Sequence, residues 1–158
     1  MDSYIVEGKN ISFQYQDSSE GIQDIHFSLK PSETILVTGN SGSGKSTFLK
    51  CLNGLIPRVV EGKLQGEILL NHQNTKDMSM AEISRHISSV FQNPRSQFFT
   101  TNTTSELIFS MENYGCKKDM MEAQLQKVTA LLKIQKLLNR DIFQLSGGER
   151  QMVAIASA

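Results

Sequence analysis

The residues most able to do chemistry lie between positions 39 and 46, which read G-N-S-G-S-G-K-S. This stretch fits the phosphate-binding pattern G-x-x-x-x-G-K-[ST] at every fixed position. The glycines, Gly39, Gly42 and Gly44, adopt backbone angles that other residues avoid, so backbone N–H groups can approach an anion closely. A helix that follows such a loop directs its positive end and its unpaired N–H groups to the same place. The stretch therefore predicts a binding site for the phosphates of a nucleotide.

The end of the pattern supplies the charged and polar side chains. Lys45 offers a mobile ammonium group for β- and γ-phosphates, and Ser46 offers a hydroxyl for Mg²⁺. We expect Ser41 and Ser43 to contribute mainly through their backbones. The remaining candidate contacts are Asn40 and Thr47. A plain glycine-rich turn is the alternative interpretation.

The flanking segments favour the phosphate-binding interpretation. Residues 34–38 are apolar enough to form a short buried strand, and Phe48, Leu49 and Leu52 recur at helical spacing. A strand, a glycine-rich turn and a helix in this order are the context that the motif requires. The sequence therefore predicts an α/β fold around this loop.

Composition excludes several classes of function. Sixteen basic and sixteen acidic side chains cancel, which argues against nucleic acid as the main partner, because binding a phosphate backbone needs clustered positive charge. No apolar stretch approaches the roughly 20 residues of a membrane span, and the N-terminus has no signal-peptide pattern. Cys51 and Cys116 lack metal-like spacing and fit packed thiols in a reducing compartment, and the three histidines are scattered.

The first half of the chain predicts a strand-rich unit. Ile11, Phe13 and Tyr15 share one face of a candidate strand, and Ile25, Phe27 and Leu29 share one face of a second, which indicates an antiparallel sheet. Gly54 is predicted to be a helix C-cap, followed by a loop over residues 55–63 and a strand over residues 64–70. Residues 79–82 form a predicted capping box that starts a short helix, and a buried strand is expected over residues 87–91.

The second half predicts helices. Residues 103–106 form a capping box that opens a helix ending at Gly115. The next helix begins near Asp119 and Glu122 and has a predicted core stripe of Leu125, Val128, Leu131 and Leu132. Met111, Met120 and Met121 fit flexible packing better than a ligand-binding surface. We expect a β-rich core over residues 1–92, a helical subdomain over residues 93–145, and a further motif over residues 146–158.

That further motif is L-S-G-G-E-R-Q, residues 145–151. Ser146 and Glu149 form a capping box, and Gly147 and Gly148 leave the amides of the first turn bare. This arrangement predicts a second helix start able to contact an anion. An ordinary capped helix is the alternative for this motif taken alone.

The phosphate-binding loop, followed about 100 residues later by L-S-G-G-E-R-Q, resembles the ATP-binding cassette (ABC) ATPase family over the whole chain. The resemblance implies an incomplete ABC nucleotide-binding domain of the P-loop NTPase class, with an antiparallel β subdomain and a helical subdomain. It implies ATP and Mg²⁺ as cofactors. It also implies that the signature residues contact the γ-phosphate of ATP held by a second ATPase subunit, identical or related; these residues are Leu145, Ser146, Gly147, Gly148, Glu149 and Gln151.

The resemblance also assigns roles to two residues outside these motifs. Gln92 matches the Q-loop glutamine, which contacts Mg²⁺ together with Ser46 and also contacts the attacking water. Tyr15 matches the aromatic residue that stacks on adenine, an interaction of roughly 1–3 kcal/mol. Packing of Tyr15 against the sheet is the alternative interpretation.

The stretch F-Q-N-P-R-S-Q-F, residues 91–98, looks like the Q-loop of energy-coupling-factor and cobalt-type importer ATPases. Such ATPases sit at the cytoplasmic face of the membrane and drive integral membrane subunits that import vitamins, their precursors or metal ions. Phe98 and Phe99 would then lie near the groove that receives the membrane subunit, although both could equally belong to the core.

The sequence departs from the family at its end. No stretch offers four apolar residues followed by Asp-Glu, and none of the histidines lies where the family has its switch histidine. Because phosphoryl transfer needs a held metal and a positioned water, we expect this polypeptide alone to bind ATP without useful hydrolysis, as a fragment or truncated product. The alternatives are a non-catalytic nucleotide-binding regulator and a non-transport ABC ATPase, which would carry long heptad or zinc-binding insertions that are absent here.

Overall fold

A computed structural model describes residues 4–158, apart from the side chain of Arg95. It divides the chain into two compact units, one ending at Ser88 and the other spanning Ser89–Ala158. The predicted boundaries at residues 92 and 145 stay predictions. No helix in the described part of the chain combines the length and the apolar character needed to cross a membrane.

The first unit contains an antiparallel sheet of four strands in the order β2-β1-β3-β4. The strands are β1 Val6–Tyr15, β2 Gly21–Leu29, β3 Gly62–Leu70 and β4 Gln73–Asn74. Alternation of apolar and polar residues places one face of this sheet against the core. The predicted antiparallel pairing of the first two strands is confirmed.

The core of the first unit forms where the sheet meets the helix that follows the glycine-rich loop. Ile11 and Phe13 of β1 are buried against Cys51 and Ile56, and Tyr15 packs at the edge of this cluster. The predicted apolar face of β1 is therefore confirmed. Burial raises the pKa of the Cys51 thiol to about 11, so this cysteine stays protonated and unreactive at neutral pH.

The helices of the first unit are α1 Lys45–Leu52, α2 Leu55–Arg58 and α3 Met80–Ser84. Ser79 starts α3 with a complete capping box, as predicted. The C-cap of α1 is Asn53, one residue before the predicted Gly54, which follows it in the left-handed conformation with φ 76°. The loop predicted for residues 55–63 is partly wrong, because α2 occupies its start. The Arg58 guanidinium stabilises this turn by donating hydrogen bonds to the carbonyls of Gly54, Thr75 and Met78.

Two predicted strands are wrong. Neither residues 34–38 nor residues 87–91 form a strand, and Leu36 is 84% exposed while Phe91 is 48% exposed. An apolar run becomes a strand only when a neighbouring backbone completes its hydrogen-bonding ladder. Within residues 4–158 the four assigned strands pair only with one another, so these two segments have no ladder.

The second unit is helical, with α4 Thr103–Asn113, α5 Lys118–Leu132 and α6 Gly147–Ser157. Short 3-10 turns cover Pro94–Ser96, Gln135–Leu137 and Ile142–Gln144. The buried core joins side chains of α4, of α6 and of the turns before α6: Leu107, Ile134, Leu137, Leu145 and Val153. Phe98 and Leu125 pack against this core.

The start of α4 differs from the predicted capping box. Its N-cap is Asn102, whose side-chain oxygen accepts hydrogen bonds from the N–H groups of Thr104 and Ser105. Thr103 is buried and donates its hydroxyl hydrogen to the Leu137 carbonyl at 2.6 Å. A long-range hydrogen bond thus replaces the local one that the sequence pattern predicted. The helix ends at Asn113, two residues before Gly115.

The predicted stripe of α5 is correct at Leu125, Val128 and Leu132 but wrong at Leu131, which is 75% exposed. Position 129 takes its place, because a residue four positions after Leu125 lies on the same helix face and a residue six positions after it does not. Thr129 is buried there and satisfies its hydroxyl by donating to the Leu125 carbonyl at 2.7 Å.

Candidate nucleotide-binding site

The glycine-rich loop reaches the start of α1 through two left-handed residues, Gly42 with φ 81° and Gly44 with φ 87°. Gly44 is the N-cap of α1 and has no side chain to offer the first-turn N–H groups. A Cβ atom built on Gly42 would meet nothing within 4 Å. The loop therefore combines an uncapped helix start with open space beside it.

Lys45 lies inside this loop. Its Nζ atom donates to the Gly39 carbonyl at 2.8 Å, the Asn40 carbonyl at 2.7 Å and the Ser43 hydroxyl at 3.3 Å. These bonds hold a positive charge within the loop, next to the positive end of α1. The cation, the uncapped amides and the open space fit the oxygens of a polyphosphate.

Two hydroxyls follow Lys45 on the first turn of α1. Ser46 is exposed, in agreement with a hydroxyl available to a metal ion, whereas Thr47 is only 7% exposed. The Thr47 hydroxyl lies 2.8 Å from the Tyr15 hydroxyl. The structure therefore brings Tyr15 to the phosphate-binding loop, a contact that the sequence did not reveal. The stacking of Tyr15 on adenine and the binding of Mg²⁺ by Ser46 stay predictions.

Gln92 lies in the second unit, exposed, in a bend before the turn Pro94–Ser96. Its predicted contact with Mg²⁺ and water stays a prediction. Sequence reasoning missed the role of Gln97. The Gln97 side chain accepts a hydrogen bond from the Phe91 N–H at 3.0 Å and donates one to the Ala154 carbonyl in α6 at 3.3 Å. This side chain therefore ties the residue before Gln92 to the helix that carries the signature motif.

The two adjacent phenylalanines have different environments. Phe98 packs against the core, whereas Phe99 is 78% exposed and stacks on Phe109 with ring centroids 4.9 Å apart. Glu106, only 3% exposed, accepts hydrogen bonds from the N–H groups of Phe99 and Thr100 and from the Thr100 hydroxyl. This buried carboxylate fixes the backbone that presents Phe99. The sequence did not indicate this role, because Glu106 stands at the last position of the predicted capping box of residues 103–106.

The signature motif begins α6 as predicted. Ser146 accepts a hydrogen bond from the Glu149 N–H, and the Glu149 carboxylate accepts bonds from the Ser146 N–H and hydroxyl. Cβ atoms built on Gly147 and Gly148 would meet nothing within 4 Å, so the first turn is open. Leu145 is buried and holds the motif to the core. The contact of these residues and of Gln151 with a partner's nucleotide stays a prediction.

Hydrogen bonds from the Ser146 hydroxyl and then the Ser146 N–H hold the pKa of the Glu149 carboxyl below its usual value. Glu82 of the other capping box has a lowered pKa for the same reason, with the Ser79 N–H contributing most. A carboxyl whose pKa is lower in the folded protein stabilises it above the pKa of the unfolded chain. That contribution disappears as the pH falls through the folded pKa.

Replacing Gly42 or Gly44 by alanine distinguishes the loss of stability caused by backbone strain from the loss caused by a steric clash. Each left-handed position costs a non-glycine residue about 1 kcal/mol. A Cβ on Gly44 also meets the Ile22 Cγ2 atom at 2.5 Å, whereas one on Gly42 has free space. We expect Gly42→Ala to lower the free energy of unfolding by about 1 kcal/mol and Gly44→Ala to lower it clearly more, measured by urea titration. Equal losses would contradict this geometry.

The pKa of Glu149 tests the second capping box. We expect an NMR titration to give the Glu149 carboxyl a pKa below that of an ordinary glutamate. Ser146→Ala should raise this pKa part of the way back, because it removes the hydrogen bond from the Ser146 hydroxyl and keeps the one from the Ser146 N–H. Glu82 is the internal control and keeps its low pKa in the variant, since its own box is intact. An unchanged Glu149 midpoint in Ser146→Ala would be incompatible with the described hydrogen bonds.

Comparisons with known proteins agree with this arrangement. A relative from Treponema denticola, described as an ABC transporter ATP-binding protein, is 45% identical over 149 residues, which cover 94% of this chain and 30% of the relative. A Pyrococcus abyssi protein of the same description is 38% identical, covering 97% of this chain and 55% of the relative. The chain therefore spans less than two thirds of each of these relatives.

Solved structures share the fold. The structure of cbiO1 from Clostridium perfringens, described as part of the ABC transporter complex cbiONQ, superposes with a TM-score of 0.84 at 25% identity, covering 98% of this chain and 61% of that one. The model of the ABC transporter family matches residues 22–158. This match includes both the loop around Lys45 and the helix start at Ser146, and the chain belongs to the ABC transporter family of ATP-binding proteins.

Proposed function

We propose that this chain is the ATP-binding part of an ABC-type importer subunit that couples ATP binding and hydrolysis to the uptake of a small solute. The observation that carries the proposal is the Lys45 ammonium held inside the loop beside the uncapped start of α1. A triphosphate is the nucleotide group whose charge this cation and these amides match.

Each residue of the site has a distinct task in this proposal. Lys45 would neutralise the β- and γ-phosphates, the loop amides would orient them, and the Ser46 hydroxyl and the Gln92 side chain would hold Mg²⁺. The metal, when bound, spreads the charge of the phosphate oxygens and shields them from repulsion. The Tyr15 ring contacts the adenine base.

The signature motif acts on ATP held by a second ATPase subunit. The open first turn at Gly147 and Gly148 supports this role, because bare amides at a helix start attract a phosphate group. The capping box keeps the helix start in shape without occupying these two amides. The second subunit is either another copy of this chain or a related ATPase.

Residues 1–158 themselves bind ATP without turning it over. They contain no apolar run that ends in Asp-Glu, and the loop has a cation and hydroxyls but no base to position the attacking water. The alternative function, a nucleotide-binding regulator without hydrolysis, is favoured by this same observation. Purification together with an integral membrane protein distinguishes the importer subunit from the regulator.

The partner in transport is an integral membrane subunit, met at the cytoplasmic face of the membrane. The exposed Phe99 ring stacks on Phe109, and its backbone is held by Glu106, which supports a contact surface for that partner because adjoining exposed apolar side chains mark interaction sites. The description of cbiO1 as part of a transporter complex supports it as well. The vitamin, precursor or metal ion that is transported depends on the partner subunits.

Isothermal titration calorimetry with MgATP tests the nucleotide site. We expect the wild-type chain to bind, and Lys45→Ala to weaken binding at least about tenfold, roughly 1.4 kcal/mol, because the cation within the loop is lost. Lys50→Ala is the matched control, since Lys50 lies on the same helix in its last turn and outside the loop. We expect this control to bind like the wild type.

Two results would contradict the proposal. Equal affinities for the wild type and Lys45→Ala would show that the loop does not bind the phosphates. Steady-state phosphate release at about one turnover per second, abolished by Lys45→Ala, would refute the claim that residues 1–158 lack useful hydrolysis.

A further inference from the structure

The Tyr15 hydroxyl meets a side chain of the phosphate-binding helix. Tyr15 is the last residue of β1, and Thr47 lies in the first turn of α1, directly after Ser46. Their hydroxyl oxygens are 2.8 Å apart although the residues are separated by 32 positions in sequence. This contact concerns the hydroxyl of Tyr15, whereas stacking on a base concerns its ring.

The position of the Tyr15 hydroxyl is set by the sheet. The Tyr15 backbone pairs with Gly62 of β3, and its N–H donates to the Glu20 carbonyl at 3.2 Å. Its ring packs edge-on against the buried Phe13 ring with centroids 5.0 Å apart. Strand pairing and ring packing thus fix the phenol before any ligand binds.

Thr47 is buried near the point where α1 meets the core of the first unit. Its neighbour Phe48 is buried, and Cys51 one turn later is almost completely buried. A threonine in a helix divides its population between two side-chain rotamers, because its hydroxyl can also bond to a carbonyl in the preceding turn. The bond to Tyr15 selects one of these rotamers.

The direction of the hydrogen bond decides what Thr47 can do next. Either hydroxyl can donate in this contact. In the arrangement inferred here Tyr15 donates and the Thr47 oxygen accepts, because a phenol O–H is more acidic than an aliphatic one. The Thr47 hydrogen is then free for another acceptor, and a phosphate oxygen in the loop is an acceptor without hydrogen-bond donors of its own. The two hydrogen bonds strengthen each other when the Thr47 hydroxyl accepts one and donates the other.

We infer that Tyr15 is a positioning residue for phosphate binding. Its hydroxyl acts through Thr47, independently of any contact between the Tyr15 ring and the base. The inference rests on the proposed function, because it assigns a role within the same nucleotide site. It predicts that loss of this hydroxyl weakens every ligand that carries the triphosphate, with or without a base.

The test compares MgATP with magnesium tripolyphosphate, which has the phosphates and no base. We expect Tyr15→Phe, which keeps the ring, to weaken both ligands by a similar factor of roughly three to ten, as the loss of one hydrogen bond does. Tyr4→Phe removes a phenol elsewhere in the chain and should leave both affinities unchanged. Urea titration of each variant confirms that it is folded.

Variants of Thr47 keep the test valid even if Tyr15→Phe unfolds. We expect Thr47→Val, which has nearly the same shape without the hydroxyl, to weaken both ligands, and Thr47→Ser, which retains a hydroxyl, to bind close to the wild type. In the Thr47→Val background, adding Tyr15→Phe should have no further effect on either affinity, because the two residues then act as one unit.

Four outcomes would overturn the inference. A loss for MgATP alone in Tyr15→Phe would show that Tyr15 acts through the base, and unchanged affinities for both ligands would show that its hydroxyl has no role. Additive losses in the double variant would show that Tyr15 and Thr47 act separately. Failure of the wild-type chain to bind either ligand would overturn the proposed function and this inference together, and is distinguishable from the other outcomes.

Discussion

The hydrogen bonds from the Lys45 ammonium to the carbonyls of Gly39 and Asn40 are the interaction on which the site depends. They close the loop on itself, so that the chain turns from an extended segment directly into α1. A cation in a loop of exposed residues is energetically inexpensive because water still reaches it. The same cation, next to an uncapped helix start, attracts a multiply charged anion more strongly than either feature alone.

The sheet and its core provide the fixed surface that this loop needs. Contacts with Ile22 on β2 and with Tyr15 on β1 place the beginning of α1, and burial of Cys51 holds its last turn. Positioning by packed elements matters because a phosphate site loses much of its effect when its groups are misplaced by about 1 Å. In the second unit, the Gln97 side chain holds the backbone next to Gln92, and the Glu106 carboxylate holds the backbone around Phe99.

Features that depend on neighbouring residues could be predicted from the sequence. The glycine-rich loop, the capping boxes at Ser79 and Ser146, and the alternating face of β1 are local patterns, and the structure contains all of them. The conformation of the two apolar segments at residues 34–38 and 87–91 could not be predicted. An apolar run forms a strand only beside a pairing partner, and sequence patterns do not reveal that partner.

Long-range contacts were beyond prediction for the same reason. The Thr103 hydroxyl bonds to a carbonyl 34 positions away, which moves the helix cap to Asn102. Arg58 reaches carbonyls 17 and 20 positions away, which gives order to a stretch that reads as a loop. The bond between the Tyr15 and Thr47 hydroxyls, 32 positions apart, belongs to this class.

We propose the loop around Lys45 as the nucleotide site. Amide hydrogen exchange, measured residue by residue with and without MgATP, tests this claim most directly. We expect slower exchange at residues 39–47, where backbone N–H groups would bond to phosphate oxygens, and little change in β3 or α5, which lie outside the proposed site. Slower exchange elsewhere with none in residues 39–47 would contradict it.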